Sequence, residues 1–125
     1  MYKWHNARKS PKIAASFLKG RIMYQQTKLH LQELQSVMVE LNLWQMTAPA
    51  ESAFLSQEPF ALDTMSPTEW LQWIFIPRMY ALIESGSPLP TKISITPYIE
   101  EALKEMDGLA QLLRPISEIE KVLQK

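Results

Sequence analysis

The 125-residue sequence has no cysteine, three glycines and no long run of apolar residues. Without cysteine the chain forms no disulfide, no thiolate nucleophile and no Cys-ligated zinc site. Three isolated glycines exclude phosphate-binding loops of the G-x-x-x-x-G-K and G-x-G-x-x-G types. No stretch approaches the roughly 20 apolar residues of a membrane-spanning helix. The absence of cysteine fits a reducing compartment, and we expect a cytoplasmic protein.

Histidine is also scarce, which limits the catalytic and metal chemistry available to the chain. His5 and His30 are isolated and give no sign of a Ser-His-Asp arrangement. His30 and Glu33 have the i, i+3 spacing of two ligands, but a metal site needs three or more. We therefore expect no metal or other cofactor, and a surface or boundary position for His30.

Length and composition indicate one soluble domain. The sequence is 46% hydrophobic and 21% charged, which is typical of a globular protein. A chain of this size can bury roughly two thirds of its unfolded surface.

The formal net charge of zero hides a basic N-terminus on an acidic body. Residues 1–22 carry six lysines and arginines and no carboxylate, which leaves seven basic and 13 acidic side chains beyond them. We expect a disordered extension over 1–22 and a helical domain over 23–125. The apolar run at 13–18 is too short for a secretory signal. Such an extension could contact RNA, an anionic membrane or the acidic body.

The first helix is predicted from about Ile22 to Trp44. Its apolar side chains recur every three or four residues: Leu31, Leu34, Val37, Met38, Leu41 and Trp44. A long loop follows over 47–65, and we expect it to lie on the core. Its predicted anchors are Phe54, Leu55, Phe60, Leu62 and Met65.

The second helix has a strong start signal. Ser66 can cap it, Pro67 suits the first position, and Glu69 completes a capping box. An α-helical register puts Leu71 and Phe75 on one side of it, and Trp70, Trp73 and Pro77 on another. Pro77 removes a backbone donor and should kink the helix, and Gly86 should end it.

The remaining segments complete an all-α, single-domain, up-and-down four-helix bundle. We expect residues 88–95 to form a stiff extended segment that lies against the bundle. A third helix is predicted from Thr96 to about Gly108, and a fourth over 109–123, kinked or divided by Pro115.

The central part of the chain resembles the YqcC-like family of small bacterial proteins over about residues 25–123. The matching segments, called the signature below, are Gln57–Phe60, Asp63–Met65, Glu69–Trp73, Ile76–Met79, Pro88–Pro90 and Pro97–Glu101. The resemblance implies a short helical bundle of unknown function, often found beside a tRNA pseudouridine synthase. Residues 1–22 fall outside the family pattern, and Pro115 departs from it.

The charged residues of the signature allow two interpretations. Asp63, Glu69 and Arg78 could supply a general acid/base pair and an anion-binding arginine, with Glu58 nearby. We instead expect Glu69 to cap its helix and Arg78 to be buried and paired with an acidic neighbour such as Asp63.

The two tryptophans of the signature also allow two interpretations. Trp70 and Trp73 could stack nucleobases, but such platforms alternate with basic residues. Here the flanking residues are acidic, apolar or amide, so we expect both rings in the core.

The sequence favours a non-catalytic protein-binding or adaptor module. The resemblance adds a tRNA pseudouridine synthase as candidate partner. Direct RNA binding through the basic extension is the alternative, and a small enzyme using Asp63, Glu69 and Arg78 is the third possibility. The candidate interaction or structural residues are Glu58, Phe60, Asp63, Glu69, Trp70, Trp73, Arg78, Pro88, Pro90 and Tyr98.

Overall fold

The computed structural model describes residues 11–124, and all regular structure in that range is helical. The α-helices are α1 (Pro11–Glu40), α2 (Pro67–Trp70), α3 (Ile76–Ser85), α4 (Thr96–Ala102) and α5 (Leu109–Leu123). A π-helical turn (Leu71–Phe75) joins α2 to α3, so that the two form one continuous helix. The predicted four-helix, all-α fold is confirmed. None of the helices in this range is both long and apolar enough to span a bilayer.

Helix α1 packs mainly against α5, and its predicted apolar stripe faces the core. Leu31, Leu34 and Met38 are fully buried. The helix begins earlier than the predicted Ile22, and it ends at Glu40 rather than Trp44. The predicted disordered extension covers residues 1–22; residues 1–10 lie outside the described residues, whereas residues 11–22 belong to α1. The predicted division of the chain at 22 and 23 stays a prediction.

Asn42 explains the earlier end of α1. It adopts a left-handed φ of 61°, which asparagine tolerates better than most residues. Its N–H donates to the Val39 carbonyl at 3.1 Å, and the Leu43 N–H donates to the Met38 carbonyl at 2.8 Å. These bonds form a Schellman motif that closes the helix. The apolar periodicity continues past Asn42, so it overestimated the length of the helix.

The loop over 47–65 reaches the core with fewer side chains than predicted. Met65 is buried and Phe60 is half-buried, as expected. The prediction that Phe54, Leu55 and Leu62 anchor the loop is wrong, because all three are exposed, Leu55 to 77% and Leu62 to 60%.

Hydrogen bonds within the loop hold its two ends together. The Thr64 hydroxyl donates to the Ala53 carbonyl at 2.7 Å, and the Ser56 hydroxyl donates to the Asp63 carboxylate at 2.5 Å. The loop therefore closes on itself, and its shape does not depend on burying every apolar side chain.

Glu120 of α5 fixes the start of α4. Its carboxylate accepts hydrogen bonds from the backbone N–H groups of Ile95 (2.5 Å) and Thr96 (2.9 Å) and from the Thr96 hydroxyl (2.6 Å). The preceding segment packs on the bundle as predicted, with Leu89 and Ile95 buried. Pro115 lies within an undivided α5.

Candidate functional site

Four aromatic side chains from three parts of the chain form one cluster. Phe60 stacks on Tyr98 with a centroid distance of 4.2 Å and an interplanar angle of 10°. It also meets Trp70 edge-on at 5.0 Å and 77°. Trp70 stacks on Phe75 at 5.4 Å and 23°. Phe60 therefore connects the long loop to both α2 and α4. The partial burial of Tyr98 in this cluster raises the pKa of its phenol.

The π-helical turn brings Trp70 and Phe75 together. Residues five apart in an α-helix are separated by about 140° around the axis. In a π-turn, residue i+5 lies about one turn above residue i. The Ile76 N–H donates to the Leu71 carbonyl in this i→i+5 pattern. The predicted placement of Trp70 and Phe75 on different sides of the helix is therefore wrong.

Pro77 favours this turn. Proline has no N–H for the carbonyl four residues before it, and its ring collides with that carbonyl in a regular α-helix. The expected disruption of the helix at Pro77 is therefore present as a wider turn directly before the proline.

Arg78 is placed on the aromatic face by the same turn. The extra residue makes Arg78 equivalent to the seventh α-helical position after Trp70, and positions seven apart share a face. Arg78 is exposed, and it makes no ion pair or side-chain hydrogen bond within the described part of the chain. The prediction of a buried Arg78 paired with an acidic neighbour such as Asp63 is wrong.

An open groove of about 410 Å³ lies between the aromatic cluster and the segment that precedes α4. The buried rings of Trp70 and Phe75 form its floor together with the half-buried Phe60. Its apolar walls are Met79, Pro90, Ile93 and Ile95. Arg78 and Ser94 are exposed at its edge. We call this site the aromatic groove.

Glu69 has the predicted structural role. Its backbone N–H donates to the Ser66 hydroxyl at 3.2 Å, and its carboxylate accepts from the Ser66 N–H at 2.9 Å. The hydrogen bond from the Ser66 backbone is the main reason that the pKa of Glu69 lies below its ordinary value. The capping box is thus confirmed.

The aromatic groove does not bring together Asp63, Glu69 and Arg78, the three residues of the catalytic interpretation. Asp63 accepts the hydrogen bond from Ser56, and neither it nor Glu69 lines the groove that contains Arg78. Glu58 is exposed, and its backbone N–H donates to the Ser56 hydroxyl at 3.1 Å. The Ser56 hydroxyl is therefore hydrogen-bonded both to the Glu58 backbone and to the Asp63 side chain.

Gln45, which the sequence analysis did not select, connects the end of α1 to the signature. Its N–H donates to the Gln72 side-chain oxygen at 2.8 Å, and the Gln72 amide donates back to the Gln45 carbonyl at 2.8 Å. The Trp73 indole donates to the Gln45 side chain at 3.0 Å, and Gln45 donates to Glu69 at 3.3 Å. The available signal was Gln72 itself, the only polar residue between Trp70 and Ile76.

These contacts give the segment Glu69–Trp73 a structural explanation. Trp70 is buried, as predicted, whereas Trp73 is half-buried beside the exposed Met46.

Pro90 lines the aromatic groove, and Pro88 is exposed outside it. Among the signature residues selected from sequence, the groove therefore collects Phe60, Trp70, Arg78 and Pro90, with Tyr98 stacked behind Phe60.

No group of three or more potential metal ligands exists within residues 11–124. His30 is half-buried, and its Nδ1 lies 2.6 Å from the Glu33 carboxylate. This pair connects adjacent turns of α1.

Comparison with known proteins identifies the fold. A family model described as DUF446, tRNA pseudouridine synthase C, matches residues 26–122. The chain belongs to the YqcC-like family. The solution NMR structure of protein YqcC from E. coli superimposes with a TM-score of 0.75 at 34% identity, covering 82% of this chain and 89% of that one.

The sequence relatives include proteins without an assigned function. An uncharacterized protein of Haemophilus influenzae is 62% identical over 100 residues, which cover 80% of this chain and 94% of that protein. YqcC of Escherichia coli is 41% identical over 80 residues, covering 64% of this chain and 73% of that protein.

A third relative is much longer. A protein of Pectobacterium carotovorum named tRNA pseudouridine synthase C is 49% identical over 65 residues. These residues make up 52% of this chain but only 17% of that protein. The shared name therefore does not show catalysis in the YqcC-like chain.

Proposed function

We propose that this chain is a non-catalytic protein-binding module that acts together with a tRNA pseudouridine synthase in the cytoplasm. The observation that carries the binding role is the aromatic groove. It exposes apolar surface beside an arginine that has no partner in the described part of the chain. Concave apolar sites with a few polar groups are typical binding sites.

The longer relative supports the choice of partner. In the Pectobacterium protein, a segment related to this chain occupies 17% of a polypeptide named as the synthase. Two domains joined in one polypeptide are held at high effective concentration. Where the same domain is a separate chain, a binding surface can maintain that association.

The groove favours binding over catalysis. Among the described residues that line it, there is no carboxylate and no histidine, and Arg78 is the one charged side chain. General acid/base catalysis needs a group that exchanges a proton near the working pH, and an arginine remains protonated. Glu69 already holds the start of α2.

A tagged pull-down from native lysate, divided into RNase-treated and untreated halves, tests this function. We expect a tRNA pseudouridine synthase to be recovered equally from both halves. Recovery of mainly RNA, or of partners that disappear with RNase, would instead support direct RNA binding and contradict the proposal. A recombinant synthase that fails to bind the purified chain would also contradict it.

A further inference from the structure

We propose that the aromatic groove binds an acidic peptide segment of the partner protein. A bulky apolar side chain of that segment occupies the groove, and a neighbouring carboxylate pairs with Arg78. This inference rests on the proposed function and deepens it by assigning the surface and the chemistry of the ligand.

The groove suits a single apolar anchor. Its volume of about 410 Å³ lies within the range of roughly 300–1,000 Å³ typical of ligand sites. Trp70 and Phe75 are already fixed by the π-turn and by each other, so little side-chain order remains to be acquired on binding. Preorganised aromatic pockets of this kind often hold the dominant residue of an interface.

The charge of the groove specifies the sign of the ligand. Arg78 is exposed at its edge, and within residues 11–124 no carboxylate lines the groove. Lys92, adjacent to the wall residue Ile93, is also exposed and has no ion pair within residues 11–124. A planar guanidinium binds carboxylates through two parallel hydrogen bonds. An acidic group is therefore the complementary partner.

The segment that lines the groove also has backbone N–H groups without a partner in the described part of the chain. The N–H groups of residues 91–94 donate no hydrogen bond to any described part of the chain. Residues 93 and 94 line the groove. Extended peptides commonly obtain affinity from such main-chain groups and specificity from adjacent pockets.

Charge also favours an acidic peptide over two other candidate occupants of the groove, the first ten residues of the chain and RNA. The first ten residues of the chain contain three basic side chains and no acidic one, so they do not complement Arg78. RNA binding requires several phosphates to be neutralised. At the groove, Arg78 and the neighbouring Lys92 are the basic side chains of the described residues, which suits a peptide with one or two carboxylates better than a polyanion.

A phage-displayed library of random peptides of about ten residues, selected on the full-length chain, tests the inference. We expect enrichment of peptides with Asp or Glu next to Trp, Phe or Leu. Fluorescence anisotropy then compares the best peptide on the wild type, R78Q and R114Q. Arg114 is an exposed arginine of α5 outside the groove, so its substitution removes the same charge elsewhere.

We expect R78Q to weaken binding about tenfold, the effect of losing one charge-assisted contact, and R114Q to leave it unchanged. Chemical shifts of the Trp70 indole and the Ile93 amide should change when the peptide is added. Selection without acidic residues, no enrichment, equal binding by R78Q, or shift changes confined to other surfaces would overturn the inference.

The two proposals fail in different ways. If the synthase is captured equally by the wild type and R78Q, the proposed function stands and the role of the groove is wrong. If acidic peptides bind through Arg78 but no synthase is captured, the groove assignment stands and the partner is wrong.

Discussion

Trp70 and Phe75 stack with their ring centroids 5.4 Å apart, although they are five residues apart in one continuous helix. This contact depends on the π-helical turn between them. The same turn aligns Arg78 with Trp70. One backbone irregularity therefore builds the floor of the aromatic groove and positions its charged residue.

Replacing Pro77 with alanine tests what maintains the turn. The new N–H would permit a regular α-helix, with a gain of about 1 kcal/mol for one hydrogen bond. That rearrangement would rotate Phe75, Ile76 and Met79 by about 100°, and all three are buried. Displacing them would cost several kcal/mol. We therefore expect P77A to keep the π-turn, with nuclear Overhauser contacts between the Trp70 and Phe75 rings. Their loss would show that proline alone enforces the turn.

Substitutions of Phe60 should show an unusual order of stability. Phe60 has a φ of 60°, a region that costs most residues about 1 kcal/mol or more and glycine almost nothing. Phe60→Ala removes both ring contacts and should destabilise the protein by about 2 kcal/mol. The Phe60→Gly variant should be more stable than the Phe60→Ala variant by up to about 1 kcal/mol, although glycine is smaller than alanine. Urea denaturation measures both, and a less stable glycine variant would contradict the backbone argument.

The contact between Gln72 and Gln45 should be a major source of stability. Gln72 is only 4% exposed and bonds to both the N–H and the carbonyl of Gln45. Gln72→Leu retains a similar size but leaves these groups unpaired, at a cost of about 2–3 kcal/mol. Gln32→Leu, at an exposed position of α1, is the matched control and should change stability by less than about 0.5 kcal/mol. Similar melting temperatures for the two variants would contradict this role.

Stability should fall in acid partly through Glu69. The hydrogen bond from the Ser66 backbone lowers the pKa of Glu69 in the folded protein below its ordinary value of 4.5. The carboxylate therefore stabilises the fold above pH 4.5, and this contribution is lost as the pH falls through the lower folded value. E69Q should show a shallower loss of stability below pH 4.5 than the wild type, measured by urea denaturation at successive pH values. Parallel pH profiles would show that the capping carboxylate contributes nothing.

Local features of the fold were predictable because their causes lie within a few residues. The capping box of Ser66 and Glu69 and the end of α3 at Gly86 follow from short-range backbone bonding. Asn42 shows the limit of apolar periodicity, since the buried stripe of α1 was correct but its end was not. Periodicity reports which face is buried, whereas the cap decides where the helix stops.

The amino-acid sequence by itself determined the helical class, the buried stripe of α1 and the start of α2, because spacing and capping chemistry act locally. Only the tertiary structure decided that Arg78 is exposed, that Phe60 meets Tyr98 across 38 positions and that the helix widens before Pro77. These features depend on which register buries the most apolar surface against distant segments. Contacts with those distant segments form only in the folded protein.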